Sequence, residues 1–438
     1  MESLLHYTWK HRLYAGGALV TTDGRRLEVL DAGLHNTNAG PDFLNAKVKL
    51  DGELWAGNVE IHTLSSDWVK HGHEQDEAYN NVVLHVVETA NAEVWTQDGK
   101  LLPQVCIKVP VELEQNYWQL LHEERYPPCF KIIPQLAPVV WHQWLDYLCV
   151  ERLEEKTNRI NTYAQWLESD WERVFFLVVA RSFGFGVNGE AFEYWGRLLY
   201  WSACARHRNS LWQLEAMFLG TAGLLEDDMI PSFHREAALQ DGYFKKLQSE
   251  WRFLQHKFEI VPMDGKQWKF LRMRPQNFPH IRLVQLAKLY HSTRLNLSAI
   301  LDATTLPEVH ELLQTEVTPY WETHYGFGAE SAKSAKHLQK STLNLLVINA
   351  IVPMLFAYGR HRQKEAYCEK ALRFLSELKP ERNRFITAWC DLGVVPQSAA
   401  DSQAILQLQT RYCQRKDCLR CRFGYYYLKG KLVATSTI

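Results

Sequence analysis

The sequence predicts an α+β protein in which a small N-terminal α+β domain is followed by a large all-α domain. Through residue 112, short runs of alternating apolar and polar residues are separated by turns, a pattern typical of strands. From residue 113 onward, apolar residues recur at spacings of three and four, as on amphipathic helices. We therefore expect domains at 1–112 and 113–438, with a linker near 125–135 that contains Pro127-Pro128.

The N-terminal domain is predicted to contain one helix, three strands, a helical connection and a buried strand, followed by a further strand. Asp51-Gly52 is a strong two-residue hairpin signal between two of the strands. The uninterrupted apolar run VVLHVV predicts a strand that is buried on both faces. In chain order, the expected helix and strands are Leu4–Arg12, Leu27–Asp31, Phe43–Leu50, Glu53–His62, Val82–Val87 and Leu102–Val109.

The second domain is predicted to be helical throughout. Its apolar residues fall on one face of each segment, while charged residues occupy other faces. The segments with this periodicity are Trp141–Lys156, Trp171–Phe183, Ala191–Cys204, Leu211–Leu225, Ile281–Tyr290, Leu343–Tyr358 and Lys364–Leu378.

Composition narrows the class of protein. With 438 residues and a formal net charge of −1, the chain has no overall attraction to nucleic acid, so any phosphate-binding surface must be a local patch. We find no run of about 18 apolar residues and no N-terminal leader pattern, and we expect no membrane partner. Nine cysteines, an odd number that is mostly scattered, indicate reduced thiols and a cytoplasmic protein. The oligomeric state has no signal in the sequence.

Two carboxylates and a histidine form the first candidate site. Asp42 precedes one predicted strand, and Glu60-Ile61-His62 ends the next one. Hydrolysis of a phosphodiester needs a metal ion that polarises the phosphate and generates hydroxide. Mg²⁺ or Mn²⁺ suits oxygen ligands, so Asp42 and Glu60 are the predicted metal ligands. His62 would orient or activate the attacking water.

The register of the hairpin decides whether these groups can meet. A plain tight turn at Asp51-Gly52 places Asp42 opposite Ile61, with Glu60 and His62 on the other face. The apolar residues of the second strand change parity along its length, which indicates a bulge, and we expect that bulge at Gly57-Asn58. His62 would then lie opposite Asp42, with Glu60 as its diagonal neighbour.

Further histidines follow close behind His62. His71, His73 and His85 fall within the next 23 positions. They are consistent with a zinc or iron site, because imidazole is a ligand for transition metals, or with catalytic histidines that assist the leaving group. The alternative is structural: His85 forms a hydrogen bond within the core, and His71 and His73 lie on a surface loop.

The C-terminal part contains the one dense group of cysteines. Cys413, Cys418 and Cys421 are spaced as ligands of Zn²⁺ or of an iron–sulfur cluster. Cys390 is the nearest candidate for the fourth ligand in sequence, and Cys368 and a histidine are the other candidates. Packing of reduced thiols is the alternative.

Basic residues also recur on the helical domain. The segment RMRPQNFPHIR precedes a predicted helix, and Arg274 and Arg282 are the candidate nucleic-acid-binding residues within it.

The first candidate site resembles the PD-(D/E)xK motif of nucleases, with Pro41-Asp42 as its PD and Glu60-Ile61-His62 as its (D/E)xK. Histidine stands where the motif has lysine. The order of the N-terminal elements is similar to the restriction-endonuclease-like αβββαβ fold. The segments GPDF, NVEIH, SDWVKHGH, VVLHVV and RPQNFP and the tail YCxxxxCLxC resemble, over almost the whole chain, an uncharacterised bacterial family that is catalogued as a domain of unknown function. That family brings no established activity, so the expected function follows from the nuclease motif and the site residues.

These resemblances imply a metal-dependent phosphodiesterase acting on nucleic acid, with Asp42, Glu60, His62, His73 and His85 as the candidate catalytic residues. Two alternatives stay open. One is a non-catalytic nucleic-acid-binding or scaffold protein that is built on a degenerate nuclease fold. The other is a hydrolase whose transition metal is held by the histidines.

Overall fold

A computed structural model describes residues 2–14 and 18–430, which form two compact units. Unit 1 comprises Met1–Trp144, Asn383–Val395 and Leu408–Ile438, and unit 2 comprises Leu145–Arg382 and Pro396–Gln407. The domain boundary expected at residue 112 falls inside unit 1, and so does the linker expected near 125–135. The C-terminal cysteines, which we expected in the helical domain, belong to unit 1 as well.

Unit 1 contains a mixed sheet of seven strands. Their bounds are β1 Leu19–Val20, β2 Arg26–Asp31, β3 Leu34–His35, β4 Phe43–Leu50, β5 Glu53–Leu64, β6 Val82–Thr89 and β7 Gln104–Cys106. The strands are ordered β1-β2-β4-β5-β6-β7, and β3 also pairs with β4. Pairing is antiparallel from β1 to β5 and parallel from β5 to β7. A parallel pair needs a crossover connection, which residues 65–81 supply between β5 and β6.

The hairpin of β4 and β5 has the turn that the sequence predicts. Leu50 pairs with Glu53, and the two residues between them have left-handed φ angles of 49° for Asp51 and 89° for Gly52. Positive φ at both positions is the requirement of a type I′ turn, which matches the twist of the flanking strands.

The helices follow the predicted order with longer or divided segments. The helices that end at or before residue 221 are α1 Glu2–Lys10, α2 Asp67–Lys70, α3 Val111–His122, α4 Pro138–Trp166, α5 Trp171–Phe183, α6 Gly189–Leu198, α7 Trp201–Arg206 and α8 Leu211–Thr221. Those that follow are α9 Ser232–Gln240, α10 Gly242–Phe258, α11 Pro279–His291, α12 Leu297–Asp302, α13 Leu306–Leu313, α14 Pro319–Glu322, α15 Lys340–Leu346, α16 Val352–Arg362, α17 Glu365–Glu377, α18 Arg384–Cys390, α19 Ala399–Gln407 and α20 Arg422–Lys429.

One helical segment of unit 2 is strongly apolar. A π-helical stretch, Val347–Ile351, joins α15 to α16, so the segment Lys340–Arg362 is continuous. By length and composition alone it is apolar enough to cross a membrane, which the sequence pattern did not indicate. In the structure, 72% of the most apolar 18-residue stretch of this segment is buried, as in the core helix of a globular unit.

The core of unit 1 places α1 against the sheet. Leu5 and Trp9 of α1 are fully buried with Val59 and Ile61 of β5. Because strand residues alternate between faces, the residues between and after Val59 and Ile61 point to the opposite side of β5. Glu60 and His62 of β5 therefore point to the side away from α1.

Candidate functional site

The candidate site lies where the start of β4 meets the second half of β5. Asp42 immediately precedes β4 and is half-buried, whereas Glu60 and His62 lie within β5 with exposures of 5% and 1%. His85, on the neighbouring strand β6, pairs with Glu60 across the parallel ladder and is fully buried. Four groups that carry chemistry therefore meet on adjacent strands.

A β-bulge sets their register, but it lies on β4 and not at Gly57-Asn58 as expected. The pairing shifts by one residue between Phe43 and Ala46 of β4. Asn45, within this interval, has a left-handed φ of 56°, and its backbone N–H donates to Oδ1 of Asn58 at 3.2 Å. Asparagine tolerates this backbone conformation better than most residues, which explains why the extra residue is accommodated here.

The position of the bulge changes the partner of Asp42. Phe43 pairs with Val59, so Asp42 comes beside Glu60. The expectation that His62 lies opposite Asp42, with Glu60 as the diagonal neighbour, is wrong. The expectation that a bulge brings the two carboxylate residues together is confirmed.

Asp42 and Glu60 are held by reciprocal hydrogen bonds. The N–H of Asp42 donates to Oε2 of Glu60 at 3.1 Å, and the N–H of Ile61 donates to Oδ2 of Asp42 at 2.9 Å. Each carboxylate is therefore positioned by the backbone of the other strand. Oδ1 of Asp42 and Oε1 of Glu60 take no part in this exchange.

The two acids also interact electrostatically. Burial, and then the negative charge of Glu60, raise the pKa of Asp42 to about 7. Nε2 of His6, from α1, lies 3.4 Å from Oδ2 of Asp42. Burial lowers the pKa of His6, so its neutral form is favoured. A bound cation would offset the charge of these acids better than His6 does.

Four imidazoles continue from Glu60 as a connected network. Nδ1 of His62 is 2.9 Å from Nε2 of His85, and Nε2 of His62 is 3.1 Å from Nδ1 of His71. Oε1 of Glu60 lies 3.2 Å from Nε2 of His73 and 3.6 Å from Nε2 of His62. The sequence cluster of histidines is therefore a spatial cluster, and it includes one of the two carboxylates.

Three of these imidazoles have the geometry of metal ligands. Each of His62, His71 and His73 has a ring nitrogen within 4.8 Å of a ring nitrogen of the other two. Within residues 2–14 and 18–430, this is the group of three potential metal ligands that meets that distance. His62 and His73 are buried and His71 is exposed, so one side of the group faces solvent. The residues fit a transition metal, for which imidazole is a preferred ligand.

The protonation state of the buried histidines also favours metal binding. Burial, followed by the neighbouring imidazoles His73 and His71, lowers the pKa of His62 to about 3. Burial also lowers the pKa of His85 to about 3. Neutral imidazole is the form that binds metal. With Nε2 of His62 directed at a metal, its Nδ1–H would donate to His85, the usual second contact of a metal-bound histidine.

His6 and Tyr79 belong to this site and were not among the sequence candidates. The ring of Tyr79 stacks on His73 with centroids 3.9 Å apart, and Tyr79 is buried with Trp68 in a small apolar cluster of its own. No local motif marks either residue. A helix that precedes the sheet and presents one polar residue, His6, between buried Leu5 and Tyr7 was the available signal.

The C-terminal cysteines gather with a partner that we did not predict. A small cavity in unit 1 is lined by Cys413, Cys418 and Cys421 together with Cys129. Cys390, the fourth ligand expected from sequence proximity, does not line this cavity. Cys129 lies far away in sequence, and only the fold brings it to the group.

The two arginines proposed for nucleic-acid binding differ in accessibility. Arg274 is exposed. Arg282 is buried at 5% exposure, and its guanidinium donates to Oε1 of Gln285 at 2.8 Å and to Oδ1 of Asn277 at 2.5 Å. A group enclosed in this way cannot reach a phosphate backbone, so Arg282 is removed from the predicted binding surface.

Comparison with known proteins gives one match. A family model described as "Protein of unknown function (DUF2851)" matches residues 2–384, which include the whole carboxylate and imidazole site. No curated protein and no solved structure matches the chain. The description of the family names no activity, and the site must be interpreted from its own geometry.

Proposed function

Since the chain belongs to the DUF2851 family of proteins of unknown function, we propose its activity from the site: a metal-dependent phosphodiesterase acting on nucleic acid. The observation that carries the proposal is the placement of Asp42 beside Glu60 by the bulge in β4. Two neighbouring carboxylates suit Mg²⁺ or Mn²⁺, which binds one or two carboxylates and retains several waters.

The chemistry follows from the metal and the groups around it. A divalent ion held by Asp42 and Glu60 would polarise a phosphoryl oxygen and lower the pKa of a bound water. His62 is neutral because of its lowered pKa, so it can bind the metal or orient the attacking water through a hydrogen bond. A lysine at this position would instead supply a fixed positive charge.

The order of the elements supports the same proposal. Helix α1, strands β2, β4 and β5, a helical connection and β6 follow one another in an order similar to the αβββαβ order of restriction-endonuclease-like proteins, with the two-residue strands β1 and β3 in between. In this comparison Asp42 and Glu60 would correspond to the PD-(D/E)xK acids. This similarity of order is support of a weaker kind, since one fold hosts many functions.

Nucleic acid is proposed as the substrate because of the motif and of exposed basic residues such as Arg274. Contacts to phosphate supply most of the affinity of proteins for nucleic acid and depend strongly on salt. Binding through local patches is compatible with a formal net charge of −1.

A second candidate function rests on the three imidazoles. Ring nitrogens of His62, His71 and His73 converge within 4.8 Å of one another, a donor set that favours zinc or iron over magnesium. Glu60 contacts both His62 and His73 and would act as the base or as a further ligand. This version is a transition-metal hydrolase in which Asp42 is outside the metal-binding group.

The experiment that tests the proposal is a phosphodiesterase assay with single-stranded and double-stranded DNA and RNA in Mg²⁺, Mn²⁺ or Zn²⁺. The variants are Asp42→Asn, Glu60→Gln and His71→Ala. For the proposed function we expect Asp42→Asn and Glu60→Gln each to lower the rate at least about 100-fold, because each would remove a ligand of the catalytic metal. The matched control is Glu28→Gln, an exposed acid of β2.

The variants separate the two candidate functions. Activity that survives Asp42→Asn but is lost in Glu60→Gln and His71→Ala would establish the histidine-bound metal in place of the carboxylate-bound one. Cleavage that none of the three variants reduces would contradict both, and a folded protein inactive with every substrate and metal would favour the scaffold alternative.

A further inference from the structure

The four cysteines of unit 1 form a second candidate site, which is independent of the phosphodiesterase proposal. Cys129 follows the Pro127-Pro128 segment, and Cys413, Cys418 and Cys421 come from the C-terminal part of the chain. All four line one small cavity. Cys129, Cys418 and Cys421 are buried with exposures of 7–9%, and all four thiols are free of disulfides.

Four cysteines that line one cavity have the donor set of a metal centre. Cys129 and the three C-terminal cysteines all contribute to the lining, and cysteine sulfur is the protein ligand of zinc sites and of iron–sulfur clusters. Binding of a metal would release the protons of these thiols.

The C-terminal segment is shaped for sulfur ligands. Cys421 is the N-cap residue of α20, so it stands at the start of a helix. A helix N-terminus stabilises a thiolate in general. A Cβ at Gly424 would lie 2.0 Å from the carbonyl oxygen of Cys418, so glycine is required for the chain to fold this closely around the cavity.

Spacing distinguishes the kinds of metal centre. Sulfurs bound to one zinc ion lie about 2.3 Å from the ion, which puts them within about 4 Å of one another. Among the described residues, the cysteines do not form a group of three ligand atoms that all lie within 4.8 Å of one another.

We propose that Cys129, Cys413, Cys418 and Cys421 bind an iron–sulfur cluster, which fixes the C-terminal segment to the N-terminal part of unit 1. A cluster with several irons spreads its four thiolate ligands over separate metal atoms, and this matches cysteines that do not form a group of three ligand atoms within 4.8 Å. The cluster joins residues that are almost 300 positions apart in sequence. Its role is structural and does not depend on catalysis at Asp42 and Glu60.

The test uses the full chain purified without oxygen from iron-supplemented cells. We expect about four irons and a similar amount of acid-labile sulfide per chain for a four-iron cluster with four cysteine ligands, with a broad absorption band in the visible region. Cys129→Ser should abolish most of the iron and of this band. Cys390→Ser is the matched control, because Cys390 lies in the same unit and does not line the cavity.

A second variant keeps the test decisive if Cys129→Ser fails to fold. Cys413 is only half-buried, and Cys413→Ser should lose the same absorption band in soluble protein. One zinc ion per chain without labile sulfide would overturn the proposal in favour of a zinc site. Protein that contains no metal after anaerobic purification and reconstitution with iron and sulfide, or iron lost equally in Cys390→Ser, would also overturn it.

Discussion

The N–H of Asp42 donates to a carboxylate oxygen of Glu60 at 3.1 Å, although the two residues are 18 positions apart. The reverse contact, from the N–H of Ile61 to Oδ2 of Asp42, closes the exchange. Both acids are thus oriented before any ligand arrives, and their mutual repulsion is built into the fold. Preorganised groups of this kind lower stability in the free protein and favour the binding of a cation.

Asp42→Asn is expected to remove the stabilisation that a divalent metal gives to the protein. Wild-type protein should unfold at a temperature several degrees higher in excess Mn²⁺ than in EDTA, because ligand at about 100 times its Kd stabilises by about 2.7 kcal/mol. The variant should lose most of this increase, while its melting temperature in EDTA stays equal or rises. Thermal unfolding followed by tryptophan fluorescence measures both.

Glu28→Gln serves as the control for this experiment, since Glu28 is exposed and contacts only Lys49, at 3.8 Å. An equal increase with Mn²⁺ in wild type and in Asp42→Asn would exclude Asp42 as a metal ligand.

His71→Ala is expected to weaken the binding of Co²⁺ or Zn²⁺ by at least about tenfold, since the loss of even a supporting contact has an effect of this size. His71 is exposed, so its removal leaves the core intact and the variant should fold normally. The visible spectrum of Co²⁺ reports binding directly, and Zn²⁺ affinity follows from competition.

The matched control is His122→Ala, because His122 is an exposed histidine of α3 in the same unit. Identical Co²⁺ affinity in wild type and in His71→Ala would show that the three imidazoles do not act together.

The hairpin shows which part of the site the sequence could predict. Phe43–Leu50 was predicted with its observed bounds, because alternation and the Asp51-Gly52 turn both define it. The bulge was expected from a change of parity in β5, but the change of parity is in β4, where buried Phe43 is followed by buried Ala46 and Val48. In β5, Trp55, Val59 and Ile61 all pack on one core. Leu54, which the expectation counted as a core residue, is exposed. The extra residue is accommodated at Asn45, which has a positive φ.

Cys129 and His6 show why the rest could not be predicted. Cys129 is nearly 300 residues from its three partners, and His6 reaches Asp42 only because α1 packs on β5. Sequence proximity instead indicated Cys390, which lies elsewhere in unit 1. Arg282 had the right chemistry for phosphate, but its position on the buried face of α11 was decided by packing.

Gly57→Ala is expected to destabilise unit 1 by about 1–3 kcal/mol, the usual cost of inserting a methyl group into a packed region. A Cβ at Gly57 would lie 2.4 Å from Cγ1 of Val83 and 2.6 Å from the carbonyl oxygen of Asn81. That carbonyl accepts the N–H of Asn58, so the strain acts on the pairing of β5 with β6. Urea unfolding of the variant against wild type measures the loss.

Gly242→Ala provides the comparison, because a Cβ at Gly242 has no atom within 4 Å. Equal stability of Gly57→Ala and Gly242→Ala would show that a Cβ at Gly57 has room, and would contradict the close contact between Gly57 and Val83.

Glu215→Gln is expected to change how the stability of unit 2 depends on pH. Glu215 is buried at 2% exposure and accepts hydrogen bonds from the hydroxyls of Tyr243 at 2.6 Å and Thr318 at 2.9 Å. Burial nevertheless dominates and raises its pKa from 4.5 to about 7. The folded state therefore holds this proton more tightly than the unfolded state does, so the contribution to stability is complete below pH 4.5 and is lost as the pH rises through 7.

The difference between wild type and Glu215→Gln isolates this contribution, because the other titrating groups are common to both proteins. Between pH 4.5 and pH 8, the free energy of unfolding of wild type should fall relative to that of the variant by an amount on the order of 3 kcal/mol. Glutamine keeps the shape of the side chain and cannot ionise, so its own curve should lack this decrease. Chemical unfolding at a series of pH values measures the difference, and parallel curves for the two proteins would show that Glu215 remains ionised in its buried position.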